Sequence, residues 1–108
     1  MSGVAITEFK KIDLRVAKVL GVEEIIGADK LWKISIDTGS EKKEIVAGIK
    51  AHYAKEKLIG KSIVVVNNLE PAVIRGVESQ GMLLAAKDGA RLTLLTLDEE
   101  LPPGSLVG

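Results

Sequence analysis

Residues 75–86 read RGVESQGMLLAA, which places Arg75, Ser79 and Gln80 within six residues, between glycines and directly ahead of an apolar run. A guanidinium, a hydroxyl and a carboxamide at that spacing suit phosphate oxygens and ribose hydroxyls. Met82 adds a flexible apolar contact, although the first residue of a strand also fits a core position. Lys30 and Lys33 join the candidates, one beside a turn at Asp29 and the other on the polar side of an alternating segment. Asn67 and Asn68 follow a β-branched run and flank the same connection. A solvated strand face would account for the two lysines, and a turn would account for the two asparagines. Structure alone accounts less readily for Arg75, Ser79 and Gln80 together.

Catalytic chemistry finds no footing. His52 is the only histidine and cysteine is absent, which removes thiolate chemistry and Cys-ligated zinc. No nucleophile elbow or orienting acid accompanies His52. GKS at 60–62 looks like the end of a phosphate-binding loop. Lys55 stands where that motif needs its first glycine, however, and the segment leads into a strand instead of a helix. No cofactor or metal is expected. The 15 basic and 15 acidic residues balance, whereas an indiscriminate nucleic-acid binder is plainly basic. Their distribution is uneven: residues 1–61 hold 12 Lys/Arg and 9 Asp/Glu, residues 62–108 only 3 and 6. Phe9, Trp32 and Tyr53 are the only aromatics, too few for binding that stacks bases along a single strand. Recognition of a folded RNA through phosphates and shape needs fewer.

The elements that must carry these groups follow from the hydrophobic pattern. One domain is expected over residues 1–108, with 1–7 mobile, then a helical turn at EFKKI capped by Thr7. Phe9 and Ile12 would there plug the end of a sheet. A long strand from Asp13 onward bends at Gly21. LWKISIDT alternates, with Trp32, Ile34 and Ile36 on the core side. A polar hairpin at GSEKK leads to a third strand, EIVAGI. KAHYAKEKLIG predicts a short helix ending at Gly60, KSIVVVNNL a fourth strand, and EPAVIRGVESQG a long connection without regular pattern. MLLAA and RLTLLTL pair across KDGA, and the Pro102–Gly104 stretch ends the regular structure. The predicted class is all-β: a five-stranded OB-fold barrel with a short helix between strands 3 and 4 and a short N-terminal helical turn. No leader opens the chain and no apolar run approaches a membrane span, so a soluble cytoplasmic protein is expected.

Taken together, five segments resemble the tRNA-binding domain family: DLRVAKV (13–19), ADKL (28–31), IVAGI (45–49), the Asn68–Pro71 part of NNLEP, and RGVESQGMLLAA (75–86). They run in the family's order and span nearly the whole chain. The resemblance implies an OB barrel, commonly homodimeric, that recognises tRNA by shape at the outer corner of the L, without anticodon specificity or catalysis. Such domains stand alone or serve as an accessory domain or subunit of methionyl-tRNA synthetase, whose catalytic chain is then an implied partner. Ser79, Gln80 and Met82 match the family's binding motif, with Arg75, Asn68 and Lys30 in support, and Lys33 is added from its proximity. Relatives often carry basic residues ahead of the Arg-Gly pair, where this chain has Glu70, Ala72 and Val73, and Ala47 replaces a common serine. That loss of charge, with the apolar tail LPPGSLV, leaves a second reading open: a dimerisation or chaperone-like protein-binding module of the same fold.

Overall fold

Short β-branched stretches separated by glycine and polar turns put about half of this chain into strands and leave only two helical turns. The computed structural model describes residues 2–108. In chain order they form helical turn α1 (Ile6–Phe9), β1 (Leu14–Ile25), β2 (Ala28–Asp37), β3 (Lys42–Ala47), helical turn α2 (Lys55–Leu58) and β4 (Ser62–Val66). There follow β5 (Ala72–Ile74), β6 (Val77–Ser79), β7 (Met82–Leu83), β8 (Ala85–Asp88), β9 (Arg91–Leu94) and β10 (Leu106–Val107). The main sheet has the order β3–β2–β1–β4–β7, antiparallel throughout. This is the all-β, OB-type arrangement, with α2 between the third and fourth strands.

Strand β1 serves two partners. Leu14–Lys18 pair with β4 and Lys18–Ile25 with β2, and a register shift between Val19 and Gly21 marks the changeover. A bulge there bends the strand and increases its twist, which curls the sheet. The inward faces of β1, β2, β3 and β4 supply the core, including Val19, Trp32, Ile34, Ile36, Ile45 and Ile63. Burying an aliphatic side chain of this kind contributes roughly 1.5–3 kcal/mol. Trp32 is 7% exposed, and its indole N–H donates to the Tyr53 carbonyl at 2.8 Å, so the one polar atom of the ring is satisfied. Strand β4 is buried at every position, as an uninterrupted apolar run requires. The chain after β9 covers its outer side: the Thr96 hydroxyl donates to the Ser62 carbonyl (2.7 Å), and the Ser62 hydroxyl to the Glu100 carboxylate (3.0 Å). No helix among the described residues is long and apolar enough to cross a membrane.

Five local expectations are corrected. The first helical turn begins at Ile6, its N-cap is Ala5 with no side-chain cap, and Thr7 lies inside it. Phe9 and Ile12 do not plug the sheet; both are exposed and line a groove with Leu106 and Val107. The second helix is a single turn, with Tyr53 ahead of it. MLLAA divides at Leu84, whose N–H donates to the Val64 carbonyl (2.9 Å) while its carbonyl accepts from Leu95 N–H (3.1 Å). Met82–Leu83 therefore join β4, and Ala85–Asp88 join β9. Beyond the prolines, β10 returns to pair with Leu14 and Arg15.

Candidate nucleic-acid interface

The segment expected to lack pattern, residues 70–81, contains the hairpin β5–β6. Its turn is Arg75–Gly76, with φ of +53° and +79°. Two positive φ values are the signature of the tight hairpin turn whose twist matches the flanking strands, and asparagine, aspartate or glycine normally supplies the first of them. Arg75 is the only non-glycine residue with positive φ among the described residues, a conformation costing an L-residue about 1–2 kcal/mol. Beneath the turn, Ile74 and Val77 pack on Ile25, Ala28, Leu31 and Val46. That small apolar cluster lies outside the main core and sets Arg75 at the end of the barrel where β2 begins, the end that carries Lys30.

What fixes the hairpin in place is the Ser-Gln-Gly segment. The Val46 N–H donates to Ser79 Oγ (2.9 Å), and the Ser79 hydroxyl donates in turn to the Gly81 carbonyl (3.0 Å). Glu44 is held twice: its N–H donates to Gln80 Oε1 (3.0 Å), and its carbonyl accepts from Gln80 N–H (2.8 Å). The free edge of β3 thus finds its partners in two side chains and one amide, which close the barrel where a regular ladder does not continue. Gly81 then passes so near β4 that a Cβ there would stand 2.9 Å from the Val66 carbonyl oxygen. Closure and presentation of the hairpin are one device.

The seven expected contact residues separate accordingly. Arg75 and Lys30 are exposed, and neither makes an ion pair among the described residues. Met82, on β7, is 49% exposed and is not core. Gln80 spends its oxygen on Glu44, while its Nε2 has no hydrogen-bond partner among the described residues and is not sealed from solvent. Ser79 is 4% exposed and its hydroxyl both accepts from Val46 and donates to Gly81, so within the fold it acts as a fastener. Lys33 is engaged with Glu44 at 3.3 Å. Asn68 ties down the N-terminal segment: its Oδ1 accepts from Asp13 N–H (2.9 Å) and its Nδ2 donates to the Lys11 carbonyl (2.7 Å).

A further tether explains the Asp-Leu-Arg and Asn-Asn pairs. Arg15 Nε donates to the Asp13 carboxylate at 2.6 Å, Asn67 Nδ2 donates to its other oxygen at 3.2 Å, and Lys43 Nζ donates to Asn67 Oδ1 at 2.9 Å. The Arg15 hydrogen bond holds the Asp13 carboxyl below its ordinary range, with Asn67 and the charges of Arg15 and Lys43 adding to it against partial burial. Lys50 is occupied as well, 4.9 Å above the Trp32 ring and paired with Glu24 at 3.1 Å. Sequence reasoning missed the hairpin and its clamp. The signal available was Ile74-Arg-Gly-Val77, an X-Gly pair between β-branched residues, but with arginine where the usual turn residues stand.

Residues 14–106 match the family described as "Putative tRNA binding domain". The chain is 55% identical over 106 residues to the methionine–tRNA ligase of Thermotoga maritima, covering 98% of this chain and 17% of that protein. It is 50% identical over 107 residues to the methionine–tRNA ligase of Methanococcus maripaludis strain C5, with 99% and 16% covered. It therefore spans 16–17% of the length of these relatives. Among solved structures, the MetRS related protein from Pyrococcus horikoshii superposes with a TM-score of 0.94 at 38% identity, all of both chains being covered. The chaperone CsaA from Bacillus anthracis str. Ames superposes with a TM-score of 0.90 at 29% identity, over 99% of this chain and 100% of that one. A family match that begins and ends within the barrel, on a chain this similar to those relatives, decides its membership: this chain belongs to the tRNA-binding domain family.

Proposed function

We propose that residues 1–108 act as one non-catalytic unit that binds folded tRNA through phosphates and shape, in the cytoplasm, as an accessory to methionyl-tRNA synthetase or independently of it. The observation that carries this reading is Arg75: a cation in a strained backbone conformation, at the tip of a clamped hairpin, at the same end as the exposed Lys30. Strain at a fixed, outward turn is retained where the side chain has work to do. Gln80 Nε2 and Met82 extend the contact surface along the barrel, Lys33 adds charge screened by Glu44, and Asn68 and Ser79 hold the frame.

Exchanging Arg75 for asparagine tests it, because asparagine suits the turn better and removes the charge. Thermal melting should show a fold at least as stable, by about 0.5–1 kcal/mol. Affinity for tRNA should fall roughly 10-fold, as expected for loss of one hydrogen-bonded charge. Unchanged affinity in the more stable variant would remove the reading.

Two copies are proposed to pair. The support is the exposed apolar groove of Phe9, Ile12, Leu14, Leu106 and Val107, beside the short strand β10. Sedimentation should give twice the chain mass, and Leu106→Lys should return it to one. The likeness to a chaperone structure favours a second reading, in which the same groove takes unfolded protein; a chain that holds denatured protein but no tRNA would establish it.

A further inference from the structure

A second concave surface lies away from the Ser-Gln-Gly clamp, between the β8–β9 hairpin and Ala51–His52. Its lining combines His52, Lys87 and Arg91 with the small apolar Ala51, Ala86 and Ala90 and the half-buried Leu92, and Thr93 adds a hydroxyl. Asp88 is the one carboxylate in the lining. It stands 3.4 Å from Arg91 with both side chains almost wholly solvated, a pairing worth little against a better anion.

Charge distribution singles this cleft out. The second part of the chain, residues 62–108, is acidic overall and holds just three cations: Arg75, Lys87 and Arg91. The first is the hairpin tip and the other two line this cleft. The cleft is also tied to the Lys30 end of the barrel. Lys50 N–H donates to the Lys30 carbonyl (3.3 Å) immediately before Ala51. The Tyr53 hydroxyl accepts from Leu94 N–H (2.9 Å) and donates to Thr93 Oγ1 (3.3 Å), fixing β9 to the same segment.

We propose that this cleft receives a second stretch of RNA sugar–phosphate backbone, phosphates on Lys87 and Arg91 and ribose against the alanines and Leu92, continuing the surface begun at Arg75 and Lys30. The inference rests on the tRNA-binding reading above. It divides the contacts between two patches a folded RNA can span at once.

The test compares the unaltered chain with the double variant Lys87→Gln, Arg91→Gln, titrating both with folded tRNA over a range of salt. Neither side chain is buried, so the melting temperature should not change. Loss of two phosphate contacts should make the slope of log affinity against log salt shallower by about 1.4–1.8 and weaken binding several-fold near 0.1 M salt. If the unaltered chain binds and the double variant matches it in affinity and slope, the cleft proposal is overturned while the tRNA reading stands. If the unaltered chain binds no tRNA, both fall. A variant that keeps tRNA binding but loses an unfolded polypeptide would assign the cleft to protein and also overturn the proposal.

Discussion

Asp13 shows how much of the family motif works on the fold and how little of it faces outward. Its carboxylate accepts from Arg15 and Asn67, its N–H donates to Asn68, and its carbonyl accepts from Asn67 N–H at 2.7 Å. One residue thereby joins the start of β1, the end of β4 and the N-terminal segment. Because the Arg15 hydrogen bond lowers its folded-state pKa, the folded form binds a proton less readily than the unfolded one. The stabilisation is complete above the unfolded value near 3.9 and drains away as pH falls through the lower folded value. Asp13→Asn should be less stable at neutral pH and should lose less stability on acidification below about pH 4. Urea midpoints from pH 2 to 7 read this directly. Parallel curves for the two proteins would mean that solvent screens the carboxylate, 28% exposed, out of the account.

Among the elements, the β5–β6 hairpin is the one the sequence concealed. Strands β1 to β4 announce themselves by alternation or by an unbroken β-branched run, and Gly21 marks the bend in β1. Residues 72–79 offer three residues a side and an arginine in the turn, and their apolar packing is limited to the half-buried Ile74 and Val77. Local pattern cannot reveal a strand pair stabilised by another strand's edge. Ser79 and Gln80 were legible as important from their type, but only the distances to Val46 and Glu44 show that both also fasten the edge of β3. Ser79→Ala should cost about 1–3 kcal/mol, the penalty of leaving the Val46 N–H and Gly81 carbonyl short of a partner. Hydrogen exchange at the Val46 amide should quicken, and tRNA affinity should fall with it if the hydroxyl acts through the frame. Weakened binding with unchanged exchange at Val46 would instead make Ser79 a contact residue.

At the scale of the whole molecule, a barrel closed through side chains has Arg75, Lys30, Lys87 and Arg91 among its exposed cations, on a chain of zero net charge. Such a surface has little general attraction for nucleic acid. On the proposed reading its affinity comes from fit, with a few phosphates met at fixed positions, and a folded partner supplies that fit. The barrel order was legible from strand periodicity, whereas the placement of Arg75 was not, because it depends on Ile74 and Val77 packing against Ile25, Ala28 and Val46. Gel shifts that compare folded tRNA with an unstructured RNA of equal length, repeated across a salt series, test this most directly. Clear preference for the folded tRNA is predicted, with about four phosphates engaged and a slope of log affinity on log salt of about −3 to −4. Equal binding of both RNAs, or binding indifferent to salt, would contradict it.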